Sequence, residues 1–154
     1  MTTTLAFALR TALPTDVEFE QFLYASTRED LRPLGPEVFD GLVGMQFRAQ
    51  SMSIKLDHPK AERKIVLVDD APVGRLVVDA SADHVELIDI ALLPQYRNHG
   101  IGTGVLRGGL AHADRIGRAV RLHVEKQSRA LHFYERLGFS ICGDVGMYFA
   151  MMRG

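Results

Sequence analysis

The sequence predicts one α/β or α+β domain spanning 1–154, with helices flanking a mixed sheet, and three observations lead there. A chain of 154 residues that is 47% hydrophobic has the commonest size of a single domain and enough apolar side chains for one sizeable core. Its first third reads as helices, with apolar residues three and four apart, and from Lys64 the pattern changes to short apolar runs between turn residues. Finally, no linker, repeat or low-complexity tract interrupts the chain.

Taken in order, Leu5 to Thr11 is the first strand. Pro14-Thr15-Asp16 follows, where Thr15 or Asp16 caps a helix running to about Arg28 or Glu29. Gly35-Pro36 opens a second helix whose stripe of Val38, Leu42, Met45, Ala49, Met52 and Leu56 lies on one face, and that face should be buried. IVLV, the turn Asp69-Asp70-Ala71-Pro72, VGRLVVDA and HVELIDIALL then read as three strands of an antiparallel meander. The loop Pro94 to His99 leads into a helix from about Gly100 to Ile116, ended by Gly117, with Ile101, Val105, Leu106, Leu110 and Ala113 facing inward. Gly104, Gly108 and Gly109 lower its intrinsic helicity by about 1 kcal/mol each relative to alanine, so packing must hold it. A strand AVRLHVE, a helix around Arg129 to Leu137, and strands near Phe139–Cys142 and Met147–Met151 close the chain.

Composition excludes several classes. Eighteen Lys plus Arg against nineteen Asp plus Glu give a net charge of -1, neither the excess of a disordered chain nor the footprint of a nucleic-acid binder. One cysteine, Cys142, excludes an internal disulfide framework and fits a reducing, cytoplasmic location. It reads as a small core residue rather than a nucleophile. The leader MTTTLAFALRTALPTD has no basic residue before its apolar stretch and is interrupted by Arg10, so it does not read as a signal peptide. No run approaches the roughly 18 apolar residues of a membrane span. His58, His84, His99, His112 and His132 show no HExxH or paired cysteine spacing, so no metal site is expected.

The most informative segment runs from Leu87 to Gly104: a strand, a loop, and a helix start rich in glycine. The first N–H groups of a helix have no intrahelical partner and carry the positive end of the macrodipole, so a phosphate or pyrophosphate is the natural guest. A Walker A loop is excluded because Gly102 is followed by Thr103-Gly104 rather than by Lys-Ser or Lys-Thr. The dinucleotide fingerprint is excluded because positions 105 and 107 are Val105 and Arg107, and a meander is the wrong context. A tight strand-to-helix turn with no ligand remains the bland alternative.

Arg97-x-x-Gly100-x-Gly102, after an apolar strand and Pro94, resembles the acetyl-CoA-binding motif of the GCN5-related N-acetyltransferase (GNAT) superfamily. Gln127-Ser128-Arg129-Ala130-Leu131-His132-Phe133-Tyr134-Glu135-Arg136-Leu137-Gly138-Phe139 is similar to that family's N-x-x-A-x-x-(L/F)-Y-x-x-x-G-F segment, with Gln127 where asparagine is usual. The resemblance implies a GNAT fold with a mostly antiparallel sheet splayed at the cofactor. Acetyl-CoA would be the cosubstrate, its diphosphate on Arg97, Asn98, His99, Gly100, Ile101, Gly102 and Thr103. Main-chain atoms of Ile90, Ala91 and Leu92 would face the pantetheine and thioester. Gln127 is the corresponding contact of the second motif. Arg97 either adds charge to the phosphates or is simply solvated.

In that family transfer is direct, without a covalent enzyme intermediate. An ammonium with a pKa of about 10.4 is neutral in about one molecule in 2,500 at pH 7, a handicap of roughly 4.6 kcal/mol, so a base is useful. Glu86 stands eleven residues before Arg97, the offset of the catalytic glutamate in the histone-acetyltransferase branch. Asp89 is the reserve, and His123 or Glu125 on the next strand, or a water relay, are further alternatives. Tyr134 matches the tyrosine that protonates the leaving thiolate, as a phenol near pKa 10 favourably does for a thiol near 8.5.

Acceptor choice in the family belongs to the first two helices, the loop between them and the closing hairpin, which here carry Tyr24, Arg28, Glu29, Asp30, Arg32, Phe39, Phe47 and Arg48. They fit a small amine, an amino acid or a peptide or protein amine equally. The implied activity is therefore N-acetylation of a primary amine, with a non-catalytic acyl-CoA-binding sensor as the alternative. Family members are often homodimers, and the strand Met147 to Met151 offers an apolar edge for pairing.

Overall fold

The computed structural model describes residues 5–154, so the first four residues of the leader lie outside the described part. The chain holds strands β1 (Ala8–Thr11), β2 (Glu62–Val68), β3 (Ala71–Asp79), β4 (Val85–Leu92), β5 (Val120–Glu125), β6 (Ser140–Val145) and β7 (Tyr148–Arg153), with helices α1 (Val17–Ala25) and α2 (Pro36–Asp57) between β1 and β2, α3 (Ile101–Arg115) between β4 and β5, and α4 (Ala130–Arg136) between β5 and β6. The hydrogen-bonded strand order is β1-β2-β3-β4-β5-β7-β6. β1 with β2, β5 with β7 and β6 with β7 are antiparallel, whereas β4 and β5 are parallel. This is the mixed, mostly antiparallel sheet with flanking helices that the sequence predicts.

The chain divides into two compact units, one holding 1–77 with 89–102 and the other 78–88 with 103–154. In the first, Leu23, Phe39, Val43, Phe47, Ile65, Val66, Val73 and Val77 are buried. Asp69 and Asp70, at φ 50° and 64°, form the two-residue left-handed turn that matches the twist of a hairpin. The helix expected from residue 16 to about 28 is shorter. It ends at Ala25, and a 3-10 segment Glu29–Leu34 leads to Gly35, whose φ of 93° turns the chain into α2. Asp16 does not cap α1. Its carboxylate instead reaches back to the Leu13 N–H at 2.7 Å and to Arg10 at 2.7 and 2.9 Å.

The buried face of α2 is not the predicted one. Phe39, Val43, Gly44 and Phe47 face inward, while Val38, Met45, Met52 and Leu56 are 51%, 55%, 66% and 76% exposed. Two apolar stripes lie about one residue apart around this helix, and the one with two phenylalanines buries more area per side chain than the one built on Met and Ala.

In the second unit Val105, Leu106, Leu110, Ala113, Val120, Leu122, Val124, Phe139, Ala150 and Met151 are buried. The spacing therefore placed the inward residues of α3 correctly, Ile101 included. Gly117, at φ 69°, ends that helix, and the Arg118 N–H returns to Ala113 O at 2.9 Å. Two expectations fail here. The C-terminal strand is not an edge, because β7 lies between β5 and β6 and leaves β6 outermost. Cys142 is exposed rather than in the core, since the edge strand β6 turns most of its residues to solvent.

Candidate active site

The close approach of β4 to β3 begins with one glycine. A Cβ built on Gly74 would overlap Ala91 O and come within 2.6 Å of Leu92 Cδ2, so only glycine lets β3 pass Ile90, Ala91 and Leu92 at this spacing. The Leu93 N–H donates to Val73 O at 2.8 Å. A 3-10 turn Pro94–Tyr96 follows, and the Arg97 guanidinium folds back so that its Nε donates to Leu92 O at 3.0 Å. Arg97 thus ties the turn to the strand end, while its other two nitrogens have no acceptor among the described residues.

Asn98 and Gly100 both lie in the left-handed region, at φ 64° and 78°, a geometry that glycine adopts freely and asparagine tolerates. Among the described residues, no acceptor outside α3 takes the N–H of Asn98, His99, Gly100, Ile101, Gly102 or Thr103. His99 O accepts from the Leu5 N–H at 3.2 Å. Ile101 is fully buried and anchors the helix start. A methyl on Gly102 would meet Leu92 Cδ1 at 3.8 Å, an ordinary contact, so packing within the chain does not require glycine there.

In the second unit, β4 and β5 are in register over Val85–Leu87 and Val120–Leu122. Glu86 stands opposite Arg121 on that ladder. Its side chain is 14% exposed, with Oε2 3.2 Å from His84 Nε2 and Oε1 3.4 Å from His123 Nδ1. Residues 84 and 86 share a face by strand alternation, as do 121 and 123. An ionised carboxylate only accepts, so the nitrogen facing it carries the hydrogen. His84 Nδ1 lies 3.4 Å from Asp83 Oδ1, which is fully exposed. The result is a file of titratable groups from Glu86 to solvent. Sequence reasoning missed His84; its signal was the two-residue spacing from Glu86.

Asp89 is engaged differently. It accepts from Arg75 Nε at 2.9 Å, and the same arginine donates to Glu20 at 2.8 Å and to Gln50 at 3.0 Å. Glu125 is exposed on β5 opposite Tyr148.

Tyr134, half-buried on α4, packs against Phe133 and, edge-on at 5.7 Å, against Phe139. Ahead of that helix Ser128 Oγ accepts from the Ala130 N–H at 3.1 Å, and Gln127 is exposed one residue earlier. Of the residues that the resemblance assigns to acceptor choice, Phe39 and Phe47 are core. Arg28 pairs with Asp30 and shares Gln46 with Tyr24, Arg32 pairs with Glu29, and Arg48 lies exposed on α2. No three His, Cys, Asp or Glu side chains converge to hold a metal among the described residues, and none of the described helices is long and apolar enough to cross a membrane.

Comparison with known proteins points to one family. Spermidine N(1)-acetyltransferase of Escherichia coli (strain K12) is 27% identical over 94 residues, covering 57% of this chain and 50% of that protein. Mycothiol acetyltransferase of Propionibacterium freudenreichii subsp. shermanii is 36% identical over 64 residues, 40% of this chain and 20% of that protein. The chain thus spans about half the length of the first and a fifth of the second. The paiA N-acetyltransferase from Thermoplasma acidophilum, crystallised in complex with coenzyme A, shares the fold at 18% identity and a TM-score of 0.75, over 97% of this chain and 99% of that one. The profile described as the acetyltransferase (GNAT) family matches residues 23–139, well over half the sequence, and the chain belongs to that family.

Proposed function

We propose that this chain transfers acetyl from acetyl-CoA to a primary amine by direct attack within a ternary complex. The observation that carries the reading is the run of main-chain N–H groups from Asn98 to Thr103 with no acceptor outside the helix they open. Such donors at a helix start suit the diphosphate of coenzyme A, and the family match makes that ligand the natural one.

In this reading the main chain of Ile90 to Leu92 holds the pantetheine arm and polarises the thioester carbonyl. Donors aimed at the developing oxyanion stabilise acyl transfer strongly. Glu86 takes the proton from the ammonium, and His84 and His123 pass it toward solvent. The neutral nitrogen attacks the carbonyl carbon and the carbon–sulfur bond breaks; the nitrogen, positively charged after attack, releases its second proton to solvent, while Tyr134 protonates the departing thiolate and regains a proton from solvent. The relative named for spermidine makes polyamines the first acceptors to try.

The test is thiol release from acetyl-CoA across a panel of polyamines, amino sugars, amino acids and peptides. Glu86→Gln should lower kcat by about 10²-fold or more and Tyr134→Phe by about 10-fold or more, the range of general acid–base effects. His84→Ala should lower kcat less than Glu86→Gln. If both Glu86→Gln and Tyr134→Phe match the wild type on an active acceptor, these roles are wrong. Tight coenzyme A binding with no turnover on any acceptor would leave a sensor domain instead.

A further inference from the structure

Away from the glycine-bearing turn, the first unit has a cavity of about 550 Å³ between the C-terminal half of α2, the start of α1, and strands β2 and β3. That volume is in the range of small-molecule sites. Its apolar lining includes Phe47, Met52 and Ile54.

The charges at its base balance among themselves. Glu20, 2% exposed, accepts from Arg63 Nε and Nη2 and from Arg75 Nη1. Arg75 also donates from Nε to Asp89 and from Nη2 to Gln50. Two guanidinium groups thus meet two carboxylates. Arg48 and Lys55, seven residues apart on α2, also line the cavity. Among the described residues neither has a carboxylate within ion-pair distance. Arg63 Nη1 likewise has no acceptor there. The lining therefore carries a surplus of positive charge together with apolar side chains.

We infer that this cavity binds a small monocarboxylate with an apolar tail, its carboxylate at Arg48, Lys55 and Arg63 and its tail against Phe47, Met52 and Ile54. A neutral ligand of the same shape forgoes the charge-assisted hydrogen bonds. An amine meets like charge.

The protein carries six methionines, so methyl labelling gives a local readout once Met52→Leu identifies its resonance. Hexanoate is titrated into the labelled protein, with hexanol as the uncharged control. Saturable movement of the Met52 methyl by hexanoate, and little by hexanol, is expected. The double variant Arg48→Gln with Lys55→Gln should bind hexanoate about tenfold or more weakly, in line with loss of two exposed charge contacts. Both positions are exposed, so the melting temperature should hold. Equal response to hexanoate and hexanol, no Met52 shift up to about 20 mM, or unchanged affinity in the double variant would overturn the inference. None of these readouts depends on acetyl transfer.

Discussion

A single missing methyl group sets how closely β3 and β4 run. Replacing Gly74 by alanine puts a carbon where Ala91 O and the Leu92 side chain already lie, and both belong to the strand end that holds the thioester in the proposed reaction. Overpacking of this kind costs about 1–3 kcal/mol. Gly74→Ala should lower the urea midpoint accordingly and raise KM for acetyl-CoA, whereas Gly102→Ala, with its contact at 3.8 Å, should leave stability nearly unchanged. An unaltered midpoint for Gly74→Ala would show that the strands separate freely. Gly74 was invisible in the sequence because its constraint comes from partners 17 and 18 residues away, Ala91 and Leu92. His84 was closer to legible, since strand alternation puts it on the face of Glu86. That Arg75 engages Asp89 could not be read, because the pairing of two strands is not written in either one.

At the level of the element, spacing located helices better than it chose their faces. In α3 one apolar stripe stands alone, and its residues are the buried ones. In α2 two stripes compete, and counting positions without weighing side-chain size selected Val38, Met45, Met52 and Leu56 over Phe39 and Phe47. The closing hairpin shows a similar limit: nothing local says which of its strands joins β5. The entry to α1 was legible as a turn but not in its wiring. Hydrogen bonds from the Arg10 guanidinium, then the Leu13 N–H, hold the Asp16 carboxylate below the ordinary aspartate range, at about 2. A lowered folded-state pKa stabilises the fold above the unfolded value and loses that contribution as pH falls through the folded one. Asp16 is 10% exposed and Arg10 35%, so solvent screening reduces the effect to about 1–2 kcal/mol. Asp16→Asn should therefore cost that much in urea unfolding at pH 7, with the gap to the wild type closing between about pH 4 and pH 2. A gap independent of pH would mean that the charge of Asp16 is irrelevant.

Across the whole molecule, the chain passes between its compact units three times, along β3, along β4 and along α3. What was legible here was the pair of motifs and their order, because each sits in one short contiguous stretch of the sequence. A ligand that binds the folded chain and not the unfolded one adds RT ln(1 + [L]/Kd) to stability. At 100 times Kd that is about 2.7 kcal/mol, and a chain of this length gains about 2–4 °C in Tm per kcal/mol. Coenzyme A should accordingly raise Tm by roughly 5–10 °C. Pantetheine, which has the arm but no diphosphate, separates the two parts of the proposed grip. If the amides from Asn98 to Thr103 supply most of the affinity, pantetheine at the same concentration should raise Tm far less, and added salt should weaken only the coenzyme A response, since screening acts on charged ligands. The net charge of -1 offers no general attraction for anions, so a salt-sensitive shift would report the local donors. Equal shifts from both molecules would place the grip on the strand and remove the turn from the account of binding.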